Sequence, residues 1–287
     1  MKNYLSLIKF SHTIFAMPFA LIGFILGFLK TENQNYLWLL LLVILCMIFA
    51  RSAAMAFNRW LDRDIDAQNP RTVIREIPAG VISSQGALIF VLFNVILFIT
   101  TTYFINLSCF LLSPVALLIV LGYSYTKRFT SLCHIVLGIG LGLAPVGAYL
   151  AITEHFDWIP IILGFSVLCW VAGFDIIYAL QDQNFDKNHQ LHSIPETFGT
   201  SISLKISKLL HLLSSTLLLV VIYMISHIYP NSGWMSLLAW VVFSALLFYQ
   251  HTLVKENDFS KINLEFFTTN GIASVIFGSL LITDLLI

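Results

Sequence analysis

Charged residues are scarce in this sequence. Lysine, arginine, aspartate and glutamate make up 10% of its 287 residues, hydrophobic residues make up 58%, and the mean hydropathy is +0.87. A soluble globular protein carries about a quarter charged residues. So few charges cannot cover the surface of such a chain, which excludes a soluble protein and predicts a polytopic protein of the lipid bilayer. The net charge of zero argues against nucleic acid as a partner.

Cysteine is also scarce, and a phosphate-binding glycine motif is missing. The four cysteines, Cys46, Cys109, Cys133 and Cys169, all lie in apolar stretches and form neither a disulfide nor a metal-binding pattern. No Walker-type glycine-rich loop is present, so nothing indicates an NTPase. The first apolar run, about 14–29, lacks a clear small-residue cleavage site, and we expect it to be retained as a transmembrane helix.

Long apolar runs fill most of the chain. A membrane-spanning helix needs about 17 to 25 mostly apolar residues. The runs that qualify predict an all-α, polytopic membrane protein with about nine transmembrane helices: 12–29, 36–57, 86–105, 107–124, 132–151, 158–180, 205–226, 234–250 and 266–286. No low-complexity linker divides the chain, so residues 1–287 are interpreted as a single integral-membrane domain.

Basic residues divide the connections between these spans into two sets. Lys30 is the single basic residue of the connections that follow odd-numbered spans. Cytoplasmic segments carry the excess of lysine and arginine, so we expect the N-terminus to be cytoplasmic and the C-terminus to lie outside. The N-terminus and the connections after even-numbered spans contain the remaining basic residues used in this argument: Lys2, Lys9, Arg59, Arg63, Arg71, Arg75, Lys127, Arg128, Lys187, Lys255 and Lys261.

Acidic residues are concentrated in two short stretches on the side predicted to be cytoplasmic. The first reads NRWLDRDIDAQNPRT and covers 58–72, and the second reads DIIYALQDQNFDKNH and covers 175–189. A helical turn projects residues four apart to the same side. Each stretch contains two aspartates at that spacing: Asp62 with Asp66, and Asp182 with Asp186.

The paired carboxylates predict a site for a metal-bound diphosphate. Two neighbouring carboxylates repel each other unless a cation joins them, and Mg²⁺ typically connects one or two carboxylates to substrate phosphates. An acidic residue in such a connection is more often solvated surface, and Asp64, which lies off the Asp62–Asp66 side, is interpreted that way. Nearby basic residues supply donors for phosphate oxygens: Arg71, Lys127, Arg128 and Lys187.

Three motifs in this order resemble those of the UbiA-type membrane prenyltransferases. The matched residues are Asn58, Asp62 and Asp66 of N-D-x-x-D-x-x-x-D, Tyr123 and Lys127 of Y-x-x-x-K, and Asp175, Tyr178, Asp182 and Asp186 of D-x-x-Y-x-x-x-D-x-x-x-D. Arg59 departs from the pattern, because the family commonly has its first aspartate there. The departure removes one candidate metal ligand and leaves Asp62 and Asp66.

The resemblance implies a UbiA-like bundle around a central cavity that transfers a polyprenyl group from its diphosphate to an aromatic acceptor. It implies Mg²⁺ as the cofactor, with one ion held mainly by Asp62 and Asp66 and another mainly by Asp182 and Asp186. The expected ligands of the diphosphate are Asn58, Arg71, Lys127 and Arg128.

The resemblance also implies roles around the reacting carbon. Tyr123 and Tyr178 are expected to shield the allylic cation with their aromatic faces, and Lys127 to hold the departing diphosphate. Asp175 is expected to orient a phenol or take its proton.

Arg51 lies in an apolar helix about two turns before the first motif, and an intramembrane arginine is a functional candidate. We expect it to bind an acceptor carboxylate or to pair with an acid.

The stretches IDAQNPRT and REIPAG are most similar to the 4-hydroxybenzoate polyprenyltransferase-like branch. That branch implies 4-hydroxybenzoate or a dihydroxynaphthoate as acceptor, in ubiquinone or menaquinone biosynthesis at a bacterial inner membrane. A haem- or chlorophyll-type prenyltransferase is the alternative within the same chemistry. A secondary transporter is disfavoured because its ion sites usually lie near the bilayer midplane. A CDP-alcohol transferase is disfavoured because its D-x-x-D-G motif is absent.

Overall fold

The computed structural model describes residues 2–8, 15–31, 35–229, 233–256 and 258–287. These ranges are helical and contain no β-strand, which confirms the predicted all-α class. In chain order the helices are α1 (Lys2–Leu7), α2 (Met17–Phe28), α3 (Tyr36–Leu61), α4 (Arg63–Asp66), α5 (Ser84–Ile105), α6 (Leu107–Thr126), α7 (Cys133–Thr153), α8 (Trp158–Ala179), α9 (Gln183–Asn188), α10 (Ile194–Ile228), α11 (Trp234–Leu253) and α12 (Asn270–Leu286).

Seven of these helices are long and apolar enough to cross a membrane: α3, α5, α6, α7, α8 with its continuation to Asn188, α10 and α11. The other two apolar helices are shorter, with 12 residues in α2 and 17 in α12. Among the described residues, seven spans rather than the predicted nine therefore meet the length criterion. The predicted first span begins at 12, outside the described ranges, and the predicted ninth begins inside a π-helical turn, Leu264–Thr269.

Helix α10 begins well before the predicted span of 205–226. The Ser193 side chain accepts a hydrogen bond from the Glu196 amide, and Pro195 occupies the first turn, where its missing amide hydrogen costs nothing. Gly199 has a φ of +77°, a conformation that a residue without a side chain adopts easily, and it kinks the helix. The extra turns bring the beginning of α10 to the acidic end of the bundle.

The core of the bundle is built from aromatic rings. The Trp170 ring of α8 lies 5.3 Å from the Phe19 ring and 5.7 Å from the Phe243 ring, while the Phe19 and Phe277 centroids are 5.8 Å apart. The Trp170 indole donates to the Asn270 side chain at 2.9 Å, so the polar residue of α12 joins two helices inside the bilayer. These contacts place α8 at the centre of the bundle.

Two glycines bring α7 and α8 into close contact. A Cβ atom added at Gly142 would lie 2.5 Å from the Gly164 carbonyl oxygen, and one at Gly164 would lie 2.6 Å from the Gly142 carbonyl oxygen. Such short separations allow no side chain at either position. The close approach fixes the register of the two helices that carry Asp175 and the pocket wall beside it.

The two ends of the bundle carry different charges. Asp157, which precedes α8, forms an ion pair with Lys30, so the basic residue expected on the outer side is neutralised. Desolvation raises the pKa of the Asp157 carboxyl, but its hydrogen bonds to Lys30 and to the Ile159 amide have the larger effect, so the pKa is lowered overall. Asp175 lies 18 residues later in α8, about 27 Å along the helix axis. The acidic stretches therefore gather at the opposite end.

Candidate active site

A cavity of about 220 Å³ opens at this end of the bundle. The ends of α3, α6 and α8, the beginning of α7, the short helices α4 and α9 and the loop after α4 form its wall. The predicted site residues that line it are Asn58, Asp62, Asp66, Arg71, Tyr123, Lys127, Asp175, Tyr178, Asp182 and Asp186. The structure therefore brings residues from three distant motifs to one cavity.

The two acidic stretches fold in the same way. A long apolar helix ends just before an aspartate, Asp62 after α3 and Asp182 after α8 with its 3₁₀ turn, and each aspartate is the residue before a short helix. The second aspartate of each pair, Asp66 or Asp186, lies inside that short helix. Neither Asp62 nor Asp182 uses its side chain to cap the short helix, so these carboxylates are available to the cavity.

The Asp62 carboxylate is 1% exposed and contacts two cations. Its Oδ2 lies 2.8 Å from Lys127 Nζ and accepts a hydrogen bond from Asn58 Nδ2 at 3.1 Å. Its Oδ1 accepts from Arg128 Nη2 at 3.1 Å. A charge removed from water needs such partners to offset the loss of hydration. Arg128 contacts Asp62 and does not itself line the cavity.

The second aspartate of the first pair, Asp66, is held by Arg75. The Arg75 Nη1 atom lies 2.7 Å from Asp66 Oδ1 and 2.8 Å from Oδ2, and both residues line the cavity. Sequence reasoning counted Arg75 among the basic residues of the connection and did not include it in the site. The sequence offered one clue, because Arg75 begins the stretch REIPAG nine residues after Asp66. The contact between Arg75 and Asp66, however, depends on the geometry of the loop that joins them.

The second acidic pair has fewer basic partners. Asp182 accepts hydrogen bonds from Arg71 Nε at 3.0 Å, from Arg71 Nη2 and from Asn69 Nδ2 at 3.1 Å. Arg71 Nη1 also donates to the Tyr178 hydroxyl at 2.9 Å. Burial alone would lower the pKa of the Arg71 guanidinium, but its hydrogen bonds and the charge of Asp182 raise that pKa. Asp186 accepts a single side-chain bond of 3.0 Å among the described residues, from Ser193 Oγ.

Asp175 lies deeper along α8 and contacts a histidine. His134 Nδ1 is 2.7 Å from Asp175 Oδ2, and both residues line the cavity together with Tyr123 and Tyr178. The Tyr178 ring packs at 4.2 Å from the Phe266 ring, and the Arg71 guanidinium lies 5.3 Å from the Tyr178 centroid. Sequence reasoning missed His134, because a single histidine in an apolar helix carries no spacing signal.

Two arginines of α3 stand apart from the cavity wall. Arg51 does not line the cavity, and within the described ranges its buried Nε has no hydrogen-bond partner. Arg59 is 7% exposed, and its Nε and Nη1 atoms are likewise without a hydrogen-bond partner in the part of the chain that the structure describes. The residue that departs from the family pattern is therefore buried and does not line the cavity.

The cavity wall has more acids than bases. Five aspartates line it, against Arg71, Arg75, Lys127 and the imidazole of His134. The acids outnumber these bases even when His134 is counted, so the partly desolvated cavity attracts cations. Bound divalent cations would reverse the sign and make the same wall attractive to a diphosphate.

The donor set fits magnesium better than zinc. The described residues contain no group of three or more histidine, cysteine or acidic side chains placed to hold a metal ion, as a structural zinc site would require. Pairs of carboxylates fit Mg²⁺, which keeps several waters and takes its remaining ligands from substrate phosphates. Asp62 with Asp66, and Asp182 with Asp186, are such pairs.

Comparison with known proteins assigns the family. A model described as the UbiA prenyltransferase family matches residues 16–272. The chain belongs to the UbiA prenyltransferase family. It is 27% identical over 245 residues to a 4-hydroxybenzoate octaprenyltransferase from Yersinia pseudotuberculosis, and the alignment covers 85% of this chain and 83% of the relative.

Solved structures share the fold of this UbiA family member. A UbiA homologue from Aeropyrum pernix K1 has a TM-score of 0.81 and 28% identity, covering 95% of this chain and 98% of its own. A UbiA homologue from Archaeoglobus fulgidus, bound to DMAPP and Mg²⁺, has a TM-score of 0.74 and 23% identity, with 99% of each chain covered. The protein is an integral membrane prenyltransferase, so the family predicted from its motifs is confirmed and the transporter alternative is wrong.

We expect Arg75→Gln to destabilise this UbiA protein in the absence of metal, because it leaves the buried Asp66 carboxylate without its cation. Removing one partner of a buried pair costs about 3–5 kcal/mol; Arg75 is partly exposed, so we expect a loss of about 2 kcal/mol in the free energy of unfolding. Thermal unfolding in detergent with EDTA, followed by circular dichroism, measures it.

The matched control is Arg63→Gln, which removes an exposed partner of Asp64 and should cost less than about 0.5 kcal/mol. Asp66→Asn combined with Arg75→Gln should recover part of the loss, since no unpaired charge remains. Equal losses for Arg75→Gln and Arg63→Gln would contradict the role of the Arg75–Asp66 pair.

Proposed function

We propose that this protein transfers a polyprenyl group from polyprenyl diphosphate to a ring carbon of an aromatic acceptor, in ubiquinone or menaquinone biosynthesis. The observation that carries the proposal is the cavity at one end of an apolar bundle, where two carboxylate pairs face basic side chains. A diphosphate needs cations around it, and an isoprenoid tail needs an apolar surface. This end of the bundle offers both.

The carboxylate pairs are the proposed ligands of Mg²⁺, with Asp62 and Asp66 around one ion and Asp182 and Asp186 around another. The bound metal would neutralise the charge that develops on the departing pyrophosphate. Asn58, which contacts Asp62 Oδ2, contributes a neutral oxygen or an amide donor at the first pair. A relative bound to DMAPP and Mg²⁺ supports this assignment at the level of the shared fold.

Lys127 and Arg71 are the proposed direct ligands of the diphosphate. Both line the cavity and contact an aspartate, Lys127 on Asp62 and Arg71 on Asp182. A lysine or arginine that neutralises a carboxylate keeps further N–H donors for phosphate oxygens. Arg128, which donates to Asp62, is a further proposed ligand of the diphosphate, and Arg75 acts through its bond to Asp66.

Tyr123 and Tyr178 are the proposed wall around the allylic carbon. Aromatic faces stabilise a nearby cation by about 0.5–2 kcal/mol each and exclude water from it. Tyr178 is fixed from two sides, by the Arg71 bond to its hydroxyl and by the Phe266 ring. A fixed ring loses no further conformational freedom when the cation forms, so its full attraction is available in the transition state.

Asp175 and Arg51 are the proposed acceptor residues. Asp175 lines the cavity together with the two tyrosines, where it can accept the proton that the ring or its hydroxyl loses. Arg51 would pair with the acceptor carboxylate through a buried guanidinium whose Nε has no partner among the described residues. The relative named 4-hydroxybenzoate octaprenyltransferase supports a carboxylated phenol, and a dihydroxynaphthoate presents the same groups.

We further propose a bacterial inner membrane as the location, with residues 1–287 forming one domain. The basic residues of the connections favour a cytoplasmic N-terminus and cavity and an outer C-terminus. Lys2 and Lys9 belong to this count; Lys9 and the side chain of Lys2 lie outside the described structure. A cytoplasmic cavity would open to the compartment that supplies soluble acceptors and Mg²⁺.

We expect purified protein in detergent to prenylate one acceptor when it is given geranyl diphosphate and Mg²⁺. The acceptors 4-hydroxybenzoate, 1,4-dihydroxy-2-naphthoate and 1,4-dihydroxy-6-naphthoate are offered separately, and the product is identified by mass spectrometry. EDTA, Asp62→Asn and Asp182→Asn should each lower the rate at least about 100-fold, because the pyrophosphate then leaves without its counter-charge.

Asp64→Asn is the matched control, since Asp64 is exposed and outside the cavity, and it should keep the wild-type rate. Geranyl diphosphate binding without product from any of the three acceptors would contradict the acceptor class. No binding of geranyl diphosphate would contradict the proposed reaction as a whole.

We expect Arg51→Gln to raise the KM of the carboxylated acceptor about 10- to 100-fold, the effect of one lost charge-assisted hydrogen bond. The KM of geranyl diphosphate should stay unchanged. The methyl ester of the same acceptor lacks the carboxylate charge, so wild type and variant should use it equally. Equal rises in KM for the acid and the ester would contradict a contact between Arg51 and the carboxylate.

A further inference from the structure

His134 is a buried cavity residue to which the proposed chemistry gives no role. It stands at the second position of α7, is 2% exposed, and lines the cavity beside Asp175. Its Nδ1 atom lies 2.7 Å from Asp175 Oδ2. The Asp175 side chain is more exposed than the imidazole, so the carboxylate lies between His134 and the open cavity.

The contact made by Nε2, the second ring nitrogen of His134, indicates which of the two nitrogens carries the hydrogen. The Ile194 amide, in the first turn of α10, donates to His134 Nε2 at 3.4 Å. A neutral imidazole accepts at one nitrogen and donates at the other. Since Nε2 faces the N–H group of Ile194, Nδ1 is the nitrogen that carries the hydrogen donated to Asp175, and an imidazolium would carry that hydrogen on Nδ1 as well. The early beginning of α10 therefore places an N–H donor against the imidazole of α7.

We propose that His134 is a positioning residue that orients the Asp175 carboxylate for proton transfer from the acceptor. Its Nδ1–H group engages Oδ2, which leaves Oδ1 as the acceptor, since Asp175 has no other side-chain hydrogen bond among the described residues. The bond also prevents rotation of the carboxylate about its Cβ–Cγ bond. This inference rests on the proposed prenyl transfer.

The proton balance of the reaction gives Asp175 its task. The bond between the prenyl C1 and the diphosphate oxygen breaks, and pyrophosphate leaves with the electron pair. A bond forms between C1 and the ring carbon of the acceptor, and that carbon or the ring hydroxyl loses a proton. Asp175 Oδ1 takes the proton and releases it to solvent, while His134 keeps its own hydrogen throughout.

The contact between His134 and Asp175 also joins α7 to α8. The test must therefore distinguish a positioning role in catalysis from a purely structural role. Gln and Asn replace opposite halves of the imidazole: Asn places its amide near Nδ1, and Gln places it near Nε2. His134→Asn therefore keeps a donor for Asp175, whereas His134→Gln keeps a contact for the Ile194 amide. If His134 had a purely structural role, neither His134→Asn nor His134→Gln would be expected to have the higher kcat.

The test compares kcat and KM of wild type, His134→Asn and His134→Gln, with geranyl diphosphate, Mg²⁺ and the acceptor that the wild type prenylates. We expect His134→Gln to lower kcat at least about tenfold, a part of the 10²–10⁴-fold effect of a general base. The KM of geranyl diphosphate should not change. His134→Asn should recover at least about a third of kcat. His155→Gln, at the other end of the bundle, is the matched control.

Asp175→Asn provides the second arm. If His134 acts through Asp175, adding His134→Gln to Asp175→Asn should change kcat less than about twofold, because coupled residues are not additive. ¹⁵N NMR of histidine-labelled wild type should show hydrogen on His134 Nδ1, and it covers the case in which His134→Gln does not fold. The thermal shift on binding geranyl diphosphate with Mg²⁺ reports the diphosphate site separately.

Three results would overturn the inference: an unchanged kcat in His134→Gln, equal losses in His134→Asn and His134→Gln, or hydrogen on Nε2 with none on Nδ1 in the wild type. In each of these cases an active wild type leaves the proposed function intact. A wild type that neither binds geranyl diphosphate nor forms product would instead contradict the proposed function itself.

Discussion

Buried carboxylates must be neutralised for this bundle to fold, and the way they are neutralised determines what its cavity can bind. Five aspartates line one cavity at the end of an apolar bundle, and Asp62 and Asp66 are almost fully removed from water. A carboxylate in such surroundings needs a cation or several hydrogen bonds. The described structure supplies Lys127 and Arg128 to the first pair, Arg75 to its second member, and Arg71 to the second pair.

These bases neutralise only part of the negative charge. The bases stabilise the buried carboxylates, and the remaining negative charge is available to bind cations. A wall in which five aspartates outnumber the basic side chains attracts cations. Metal ions between the paired aspartates would free the lysine and arginine N–H groups for phosphate oxygens. The apolar helices below provide a surface for an isoprenoid tail. Charge at one end and lipid around the rest are the two requirements of a membrane prenyltransferase.

Much of this arrangement was predictable from the sequence, because it depends on local spacing. The four-residue spacing of Asp62 with Asp66 places both carboxylates on one side of a helical turn, and the apolar runs predict the helices within a few residues. The exception is α10, whose first turns are polar and rely on a serine cap and a glycine kink. Periodicity of apolar residues cannot reveal such a start.

The contacts that complete the site depend on loop geometry and helix packing, which the sequence does not express locally. Arg75 reaches Asp66 through the turn after α4, and His134 meets Asp175 because Gly142 and Gly164 bring α7 against α8. The contact between Arg128 and Asp62 depends on helix packing in the same way, since it joins residues that follow α6 and α3. Residues of one motif were predicted together, whereas their partners from other helices were not.

We propose that the two carboxylate pairs hold two divalent ions around one diphosphate. The decisive experiment is titration of the purified protein with Mn²⁺, followed by electron paramagnetic resonance in the presence of a non-reactive geranyl thiolodiphosphate. We expect two bound ions with mutual magnetic coupling, one lost in Asp66→Asn and the other in Asp186→Asn. Two uncoupled ions, or binding that neither substitution changes, would show that the pairs do not share one diphosphate site.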